Sequence, residues 1–478
     1  MPLRLPAHSP HVLALACTLF LVACAGFPAR EEAPAMRAAG DYASAQSFAS
    51  TVRPWPDDAW WQAYGDAQLN ALMAEALAGA PSIAVAQARL RQAQALADSA
   101  GAARAPQLSA NASVSEQKQS YNYLSPSLAT PQGWNDYGRA TLDFSWDLDL
   151  WGRNRAALAA ATSDAEAALA DVAQARLVLA TAVASAYAEF ARQHAALDTA
   201  QAALEVRTRT AVLFGQRFDH GLEIRGSVRQ VDARRASAEA DVLATAEQLA
   251  LQKNRIAALL GAGPDRGLAL ARPSIDLAQP FGLPANLSAE LLGRRPDIAA
   301  ARLRAEAASK RIDQAEASFY PNVNLVAFVG VQSLGLDMLT KSGSSIGSIG
   351  PAISLPLFDG GRLRAQLRGA DAGYAQAVAD YERALVQALQ EVADAAVSQR
   401  AIGGQLAKTD EAVEAAREAW RIQGNRYQGG LATYLEVLSA EDSLLGNLRV
   451  QSDLQSRSFS LDVALVRALG GGYASIHP

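Results

Sequence analysis

Between Arg139 and Asp149 the chain alternates with a period of two. Ala140, Leu142, Phe144, Trp146 and Leu148 fall on one side, and Thr141, Asp143, Ser145, Asp147 and Asp149 on the other. A half-buried strand alternates in this way and a helix does not. Pro106 to Glu116 behaves alike, with Leu108, Ala110, Ala112 and Val114 opposing Gln107, Ser109, Asn111 and Ser113. Two further strands are predicted at about 321–331 and 349–357, less cleanly alternating; Pro351 and Pro356 there call for an edge, a bulge or a strand end, because proline has no N–H for a ladder. Each strand pair is followed by a helix of unusual length. Arg153 to Arg217 contains no proline and only Gly215 near its end, and Ala, Leu, Arg, Gln and Glu, all strong helix formers, dominate it. Unbroken, such a helix reaches on the order of 100 Å. Gly361 to Gln428 matches it, with Gly369, Gly373, Gly403 and Gly404 as places for bends. Shorter helices are predicted over about 227–260 and 434–468.

The pattern is written twice. Pro81-Ser82-Ile83 returns as Pro296-Asp297-Ile298 and Pro106 as Pro321, both at a shift of 215. Gly152-Arg153, Arg155, Leu158 and Asp171 return as Gly361-Arg362, Arg364, Leu367 and Asp380 at a shift of 209, and the same shift carries Arg217, Gly221 and Leu222 onto Arg426, Gly430 and Leu431. Repeated matches at constant shifts mark an internal duplication. The expected organisation is a leader over 1–23, a linker over 24–58, a first repeat over 59–285, a second over 286–470 and a tail over 471–478.

Composition narrows the class. Of 478 residues half are hydrophobic but only 6% aromatic, which favours close alanine-rich helix packing over an aromatic-filled globular core. A net charge of -5 supplies no basic stripe, so nucleic acid is not an expected partner. His194 and His220 have no metal-ligand spacing around them, no cofactor is implied, and neither a nucleophile elbow nor a phosphate loop occurs, so no enzyme activity is expected. The acidic face Asp143, Ser145, Asp147 and Asp149 reads as a hydrated strand face more readily than as a selective ring.

The first residues carry an address. Arg4 precedes an apolar run, Val12 to Val22, too short to span a bilayer, and Leu21-Val22-Ala23-Cys24 resembles the bacterial lipobox. The resemblance implies lipid attachment at Cys24 and loss of Cys17 with the leader. Ala25 stands where an aspartate holds many such lipoproteins on the inner membrane, which points to the outer one. No later run approaches about 20 consecutive apolar residues, so any crossing must use strands. Tyr121, Tyr123, Trp134 and Tyr137 at one end and Trp146, Trp151, Phe319, Tyr320 and Phe358 at the other fit two aromatic girdles.

In hydrocarbon every backbone donor and acceptor must be paired, so a four-stranded sheet cannot stand open there. Closure needs at least about eight strands. A dimer with eight or a trimer with twelve satisfies the arithmetic, but an eight-stranded barrel is filled by its own side chains, so a conduit needs the trimer.

The lipobox leader, Trp60-Trp61-Gln62-Ala63-Tyr64-Gly65-Asp66-Ala67-Gln68-Leu69, Arg295-Pro296-Asp297-Ile298, the paired glycine turns and Ala468-Leu469-Gly470-Gly471-Gly472-Tyr473 together resemble the outer-membrane factor family of efflux systems, the NodT and OprM group related to TolC. The resemblance implies a mixed α/β membrane protein: a homotrimeric 12-stranded transmembrane β-barrel, four strands per chain, continued by a long periplasmic α-helical barrel. It also implies a belt formed by about 59–78, 261–284 and the tail. The function so implied is passive exit of drugs or other small molecules, in partnership with a periplasmic adaptor and an inner-membrane pump of the proton-driven resistance-nodulation-division (RND) class. Protein export with an ATP-driven transporter and a non-conducting periplasmic tether are the alternatives. By the same resemblance Gly221, Leu222, Gly430 and Leu431 form tips docked by the adaptor, while Leu435, Glu436 and Ser439 lie at the periplasmic gate. Ser439 stands where the family has an aspartate, so the charge and closure of the gate are expected to rest on Glu436 and Leu435.

Overall fold

The computed structural model describes residues 34–44, 46–49, 52–121, 131–275, 283–284, 291 and 293–474; Cys17, Cys24 and Tyr123 lie outside them. Helices α1 (Ala67–Gly79) and α2 (Pro81–Ala102) lead to strands β1 (Gln107–Lys118) and β2 (Trp134–Asp147), then to α3 (Arg153–Asp219), α4 (Arg225–Leu259) and the single turn α5 (Asp265–Leu268). The second half repeats this with α6 (Pro296–Ala317), β3 (Asn322–Leu334), β4 (Ser345–Ser354), α7 (Arg362–Gln428) and α8 (Tyr434–Ala468). Helices α3 and α7 are both 67 residues long and α4 and α8 both 35, so the duplication seen in the motifs extends to element lengths. The chain divides into two compact units, each drawing on both halves.

The first unit, residues 34–36, 91–166 and 302–380 among those described, holds the sheet. Its order is β1-β2-β3-β4, antiparallel throughout, with two hairpins joined where β2 pairs with β3. The register collects the apolar positions: Leu108 lies opposite Phe144, Phe144 opposite Ala327 and Ala327 opposite Ile349; likewise Ala110, Leu142, Val329 and Gly347 form one row. Side chains on one face of a pleated sheet recur every second residue, so these rows make a single continuous apolar face. It is left bare: Leu108 is 70% exposed, Ile349 78% and Ile353 70%. The opposite face carries Ser109, Asn111, Thr141, Asp143 and Asn324, and Asn111 and Thr141 both donate to the Asp143 carboxylate, at 2.9 and 2.7 Å. β4 starts at Ser345, four residues before the predicted strand, and ends at Ser354, leaving Pro356 outside. Its Ser and Gly residues hide the alternation, and pairing with β3 holds them extended. Pro351, opposite Leu325, sits on an outer strand where a missing donor can face away from the ladder.

The second unit, 37–90, 167–301 and 381–474 among those described, is helical. Trp60, Tyr64, Leu72, Met73, Tyr187, Phe190, Ile256 and Phe459 share one buried cluster, which packs α1 on α3, α4 and α8. Asp66 caps α1 by accepting the Leu69 N–H at 3.0 Å, and its other oxygen takes the Tyr187 hydroxyl at 3.0 Å and the Ser274 N–H at 2.7 Å. The Tyr64 hydroxyl donates to Asp462. Arg295 is buried among acceptors: Asp297 at 2.6 Å, Glu391 at 2.8 Å and the Ala468 carbonyl at 3.0 Å, so one guanidinium pins α6, α7 and the end of α8. Beside it Gly470 turns with φ +86°, and a Cβ there would meet the Arg294 carbonyl oxygen at 1.9 Å. Several motifs behind the family resemblance are therefore packing devices of this unit.

From Arg37 the segment expected as a linker is docked. Ala39 and Tyr42 pack with Ile298, Tyr381, Leu385 and Ala388, the Tyr381 hydroxyl donates to the Arg37 carbonyl at 3.2 Å, and Phe48 and Trp55 cover a second cluster around Val392 and Leu465. Two alanine-rich stretches, Ala67–Ala102 and Arg153–Asp219, contain windows with mean hydropathy 1.4 and 1.5, high enough for a membrane helix by composition. Neither contains about 20 consecutive apolar residues: alanine raises mean hydropathy without supplying long apolar side chains.

Candidate functional site

The far ends of the long helices carry two matching turns. At the first, the Gly221 N–H donates to the Phe218 carbonyl at 2.9 Å and the Leu222 N–H to Arg217 at 2.8 Å; at the second, Gly430 donates to Tyr427 at 3.0 Å and Leu431 to Arg426 at 2.8 Å. Gly221 and Gly430 have φ of 70° and 73°, the left-handed conformation that ends a helix and that residues with a Cβ resist. Leucine after such a cap often packs back on its own helix, but Leu222 is 65% exposed and Leu431 74%. Phe218 and Ile224 are exposed beside Leu222, an apolar contribution that the glycine motif did not single out.

Behind the turns lies an aromatic and ionic cluster. Phe214 and Tyr427 both pack on Tyr434, with ring centroids 4.5 and 5.3 Å apart, and the Arg217 guanidinium stands 5.8 Å from the Tyr427 ring while pairing with Glu223 at 3.5 Å. Burial pushes the Tyr434 phenol up to about 12.

Helix α8 begins here, and its first two turns contain the three residues expected at a gate. Leu435, Glu436 and Ser439 are all exposed, but they are not equivalent. One Glu436 oxygen accepts the Thr433 backbone N–H at 2.6 Å and the Thr433 hydroxyl at 3.2 Å, so its charge serves the start of the helix. The carboxylate sharing a face with Leu435 and Ser439 belongs to Asp442, since positions i, i+4 and i+7 line one side of a helix. Asp442 receives Arg207 of α3 at 2.9 Å and Arg234 of α4 at 3.0 Å. Arg207 also reaches Glu441, whose side chain is 5% exposed, at 3.4 Å. Burial raises the pKa of Glu441 and Arg207 opposes the rise. Arg207, Arg234, Glu441 and Asp442 were not among the residues expected from sequence; the i, i+4, i+7 spacing from Leu435 was the available signal for Asp442.

The acidic strand face divides. Asp147 pairs with Arg153 at 2.8 Å, and Asp149, at φ 46°, caps α3 by accepting the Asn154 and Arg155 N–H groups at 2.9 Å each. Asp143 and Asp147 both stay on the polar face as strand residues, Asp147 opposite Asn324, while Asp149 lies beyond the strand. No group of three or more His, Cys, Asp or Glu side chains stands together in a metal-binding arrangement among the described residues.

An antiparallel sheet with a bare apolar face, grown from paired long helices with twin capped tips, defines an outer-membrane channel component rather than a soluble sandwich. The sequence matches the family described as outer membrane efflux protein over residues 72–262 and 287–471, and the chain belongs to that family. It is 33% identical over 88% of its length to the multidrug resistance outer membrane protein MdtP of Escherichia coli K12, covering 87% of that protein. It is 36% identical to the fusaric acid resistance protein FusA of Burkholderia cepacia over 75% of this chain and 68% of the relative. Among solved structures it is similar to the outer membrane protein VceC of Vibrio cholerae, with 52% identity, a TM-score of 0.82, and coverage of 87% of this chain and all of that one. The protein is an outer-membrane efflux channel protein.

Proposed function

We propose that three copies of this chain form the exit duct of a tripartite efflux system, and that small organic molecules leave through it passively. The observation that carries the reading is the sheet: its two outer strands, β1 and β4, each leave one edge unpaired among the described residues, while one face is apolar and largely exposed. In lipid those edges require partners. Joining β4 of one copy to β1 of the next supplies them, and three copies give twelve strands, wide enough for a water-filled bore where eight are not. The long helices then continue the wall as a helical barrel into the periplasm.

The polar face, with Asn111, Thr141 and Asp143, would line the bore. Leu435, Ser439 and Asp442 form the constriction near the tips, Glu436 organises the helix that bears them, and the exposed Leu222 and Leu431 dock the periplasmic adaptor that links the duct to an RND-class pump. Lipid on Cys24 would add an anchor ahead of the docked segment that begins at Arg37. The names of the relatives, multidrug and fusaric acid resistance, support small organic cargo. Reconstituted protein should swell liposomes in sugars of a few hundred daltons, and Leu435→Ala should increase the rate. Absence of solute passage from both proteins, with insertion verified, would remove the duct.

A further inference from the structure

On the polar face of the sheet two opposite charges stand near each other without pairing. Arg139 of β2 is the only Lys or Arg at a strand position of that face among the described residues. Its guanidinium lies over the Phe328 ring of β3, 5.4 Å from the ring centroid. The reach is open because Gly330, between Phe328 and Gln332 on the same face, has no side chain. Phe328 is directly opposite Asp143, so the guanidinium ends near that carboxylate, and the charge of Arg139 acts on Asp143. The two form no ion pair among the described residues, because each is held by another neighbour. Asn111 of β1 and Thr141 donate to the same Asp143 oxygen, Oδ2, at 2.9 and 2.7 Å, which draws the carboxylate toward β1. The ring contact draws the guanidinium toward β3. Asp143 Oδ1 and the guanidinium N–H groups of Arg139 are left without a hydrogen-bond partner among the described residues.

We propose that Arg139 and Asp143 form a binding site on the bore wall for small zwitterions, molecules that carry both an ammonium and a carboxylate. Arg139 receives the carboxylate, which the planar fork of a guanidinium suits, and Asp143 Oδ1 receives the ammonium. Charges already closed on each other have little to offer such a ligand; charges held apart meet both of its ends at once. A simple anion satisfies Arg139 but is repelled by Asp143, and a simple cation meets the reverse, so the two together set the preference. Phe328 is a positioning residue, since its ring face keeps the guanidinium from folding onto Asp143. The site stands in water, so its affinity is modest and falls as salt rises. The inference rests on the reading of the polar face as the lining of a bore, and it adds a point of contact for zwitterionic cargo along the exit path.

Full-length protein in mild detergent is to be offered phenylalanine, hydrocinnamate and phenethylamine, which share a ring and carry both charges, the carboxylate alone and the ammonium alone. Binding is read by saturation-transfer NMR at low salt and neutral pH, and liposome swelling is measured on the same preparations. Wild type should bind phenylalanine about threefold more tightly than either single-charge probe, the gain expected from one added exposed ion pair. Arg139→Gln should abolish the preference over phenethylamine and keep the preference over hydrocinnamate; Asp143→Asn should do the opposite. A variant that fails to fold cannot produce that crossed pattern. Phe328→Leu, which keeps both charges, should lower the preference over both single-charge probes together. Equal binding of the three probes by wild type, or preferences that survive all three substitutions, overturns the proposal. Swelling separates the two readings: passage intact with the three probes bound alike removes the site alone, and passage absent from wild type removes the duct itself.

Discussion

The carboxylate of Glu436 accepts the backbone N–H of Thr433 at 2.6 Å, which ties the acidic residue nearest the exposed Leu435 to the start of its own helix. The tie separates two tasks that the sequence places side by side, holding the helix and charging the constriction. Glu436→Ala should therefore lower thermal stability by about 1 kcal/mol, the usual cost of a lost cap, while Asp442→Asn should raise single-channel conductance and weaken cation preference in planar bilayers. Equal conductance changes in the two variants would return the charge of the gate to Glu436.

Arg207 faces a buried partner. Glu441 has a side chain only 5% exposed, and removing the guanidinium leaves a carboxylate with neither water nor its close cation. Arg207→Met should cost about 3 kcal/mol, as removal of one member of a buried pair commonly does. Adding Glu441→Gln should recover most of the loss, and thermal melts of the two single variants and the double variant measure the coupling.

The cap at Asp66 carries a pH signature. Burial pushes its pKa up, but donation from Leu69, Ser274, Tyr187 and Gln68 outweighs burial and holds it below the ordinary 3.8. Unfolding therefore takes up a proton in the window between the folded value and 3.8, so the contribution of Asp66 is fully present above 3.8 and is lost as pH falls through the folded value. Asp66→Asn should lower the melting temperature at neutral pH and flatten its decline below about pH 4. A variant that keeps the wild-type acid slope would assign that slope to other carboxylates.

Leu222 and Leu431 occupy matched places after matched glycine caps, and both are exposed. Leu222→Asp with Leu431→Asp should leave assembly and liposome swelling near wild type yet abolish pump-dependent drug resistance in cells. Resistance at wild-type level with normal expression would free the tips of any docking role.

How much of this was legible beforehand differs by element. β2 announced itself because every second residue between Ala140 and Leu148 is apolar. β4 was legible only from Ile349 onward, because Ser345, Gly347 and Ser348 have no side-chain contrast to display and are held extended by pairing with β3. The tips were readable from Gly221 and Gly430, since a left-handed helix end is a local demand. Arg207 and Arg234 were not readable: Asp442 lies 235 and 208 residues from them, and no local pattern encodes a pairing made by folding. The docked segment from Arg37 to Trp55 was hidden for a related reason, its anchors Ala39, Tyr42, Phe48 and Trp55 being spaced to fit grooves on other helices rather than any period of their own.

The unpaired edges of β1 and β4 place the whole account on assembly. Electron-microscopic averages of detergent-purified particles viewed end-on test it most directly. Three-fold symmetry around a stain-filled centre is the expected image; single copies, two-fold particles or a filled centre would contradict a shared twelve-stranded wall.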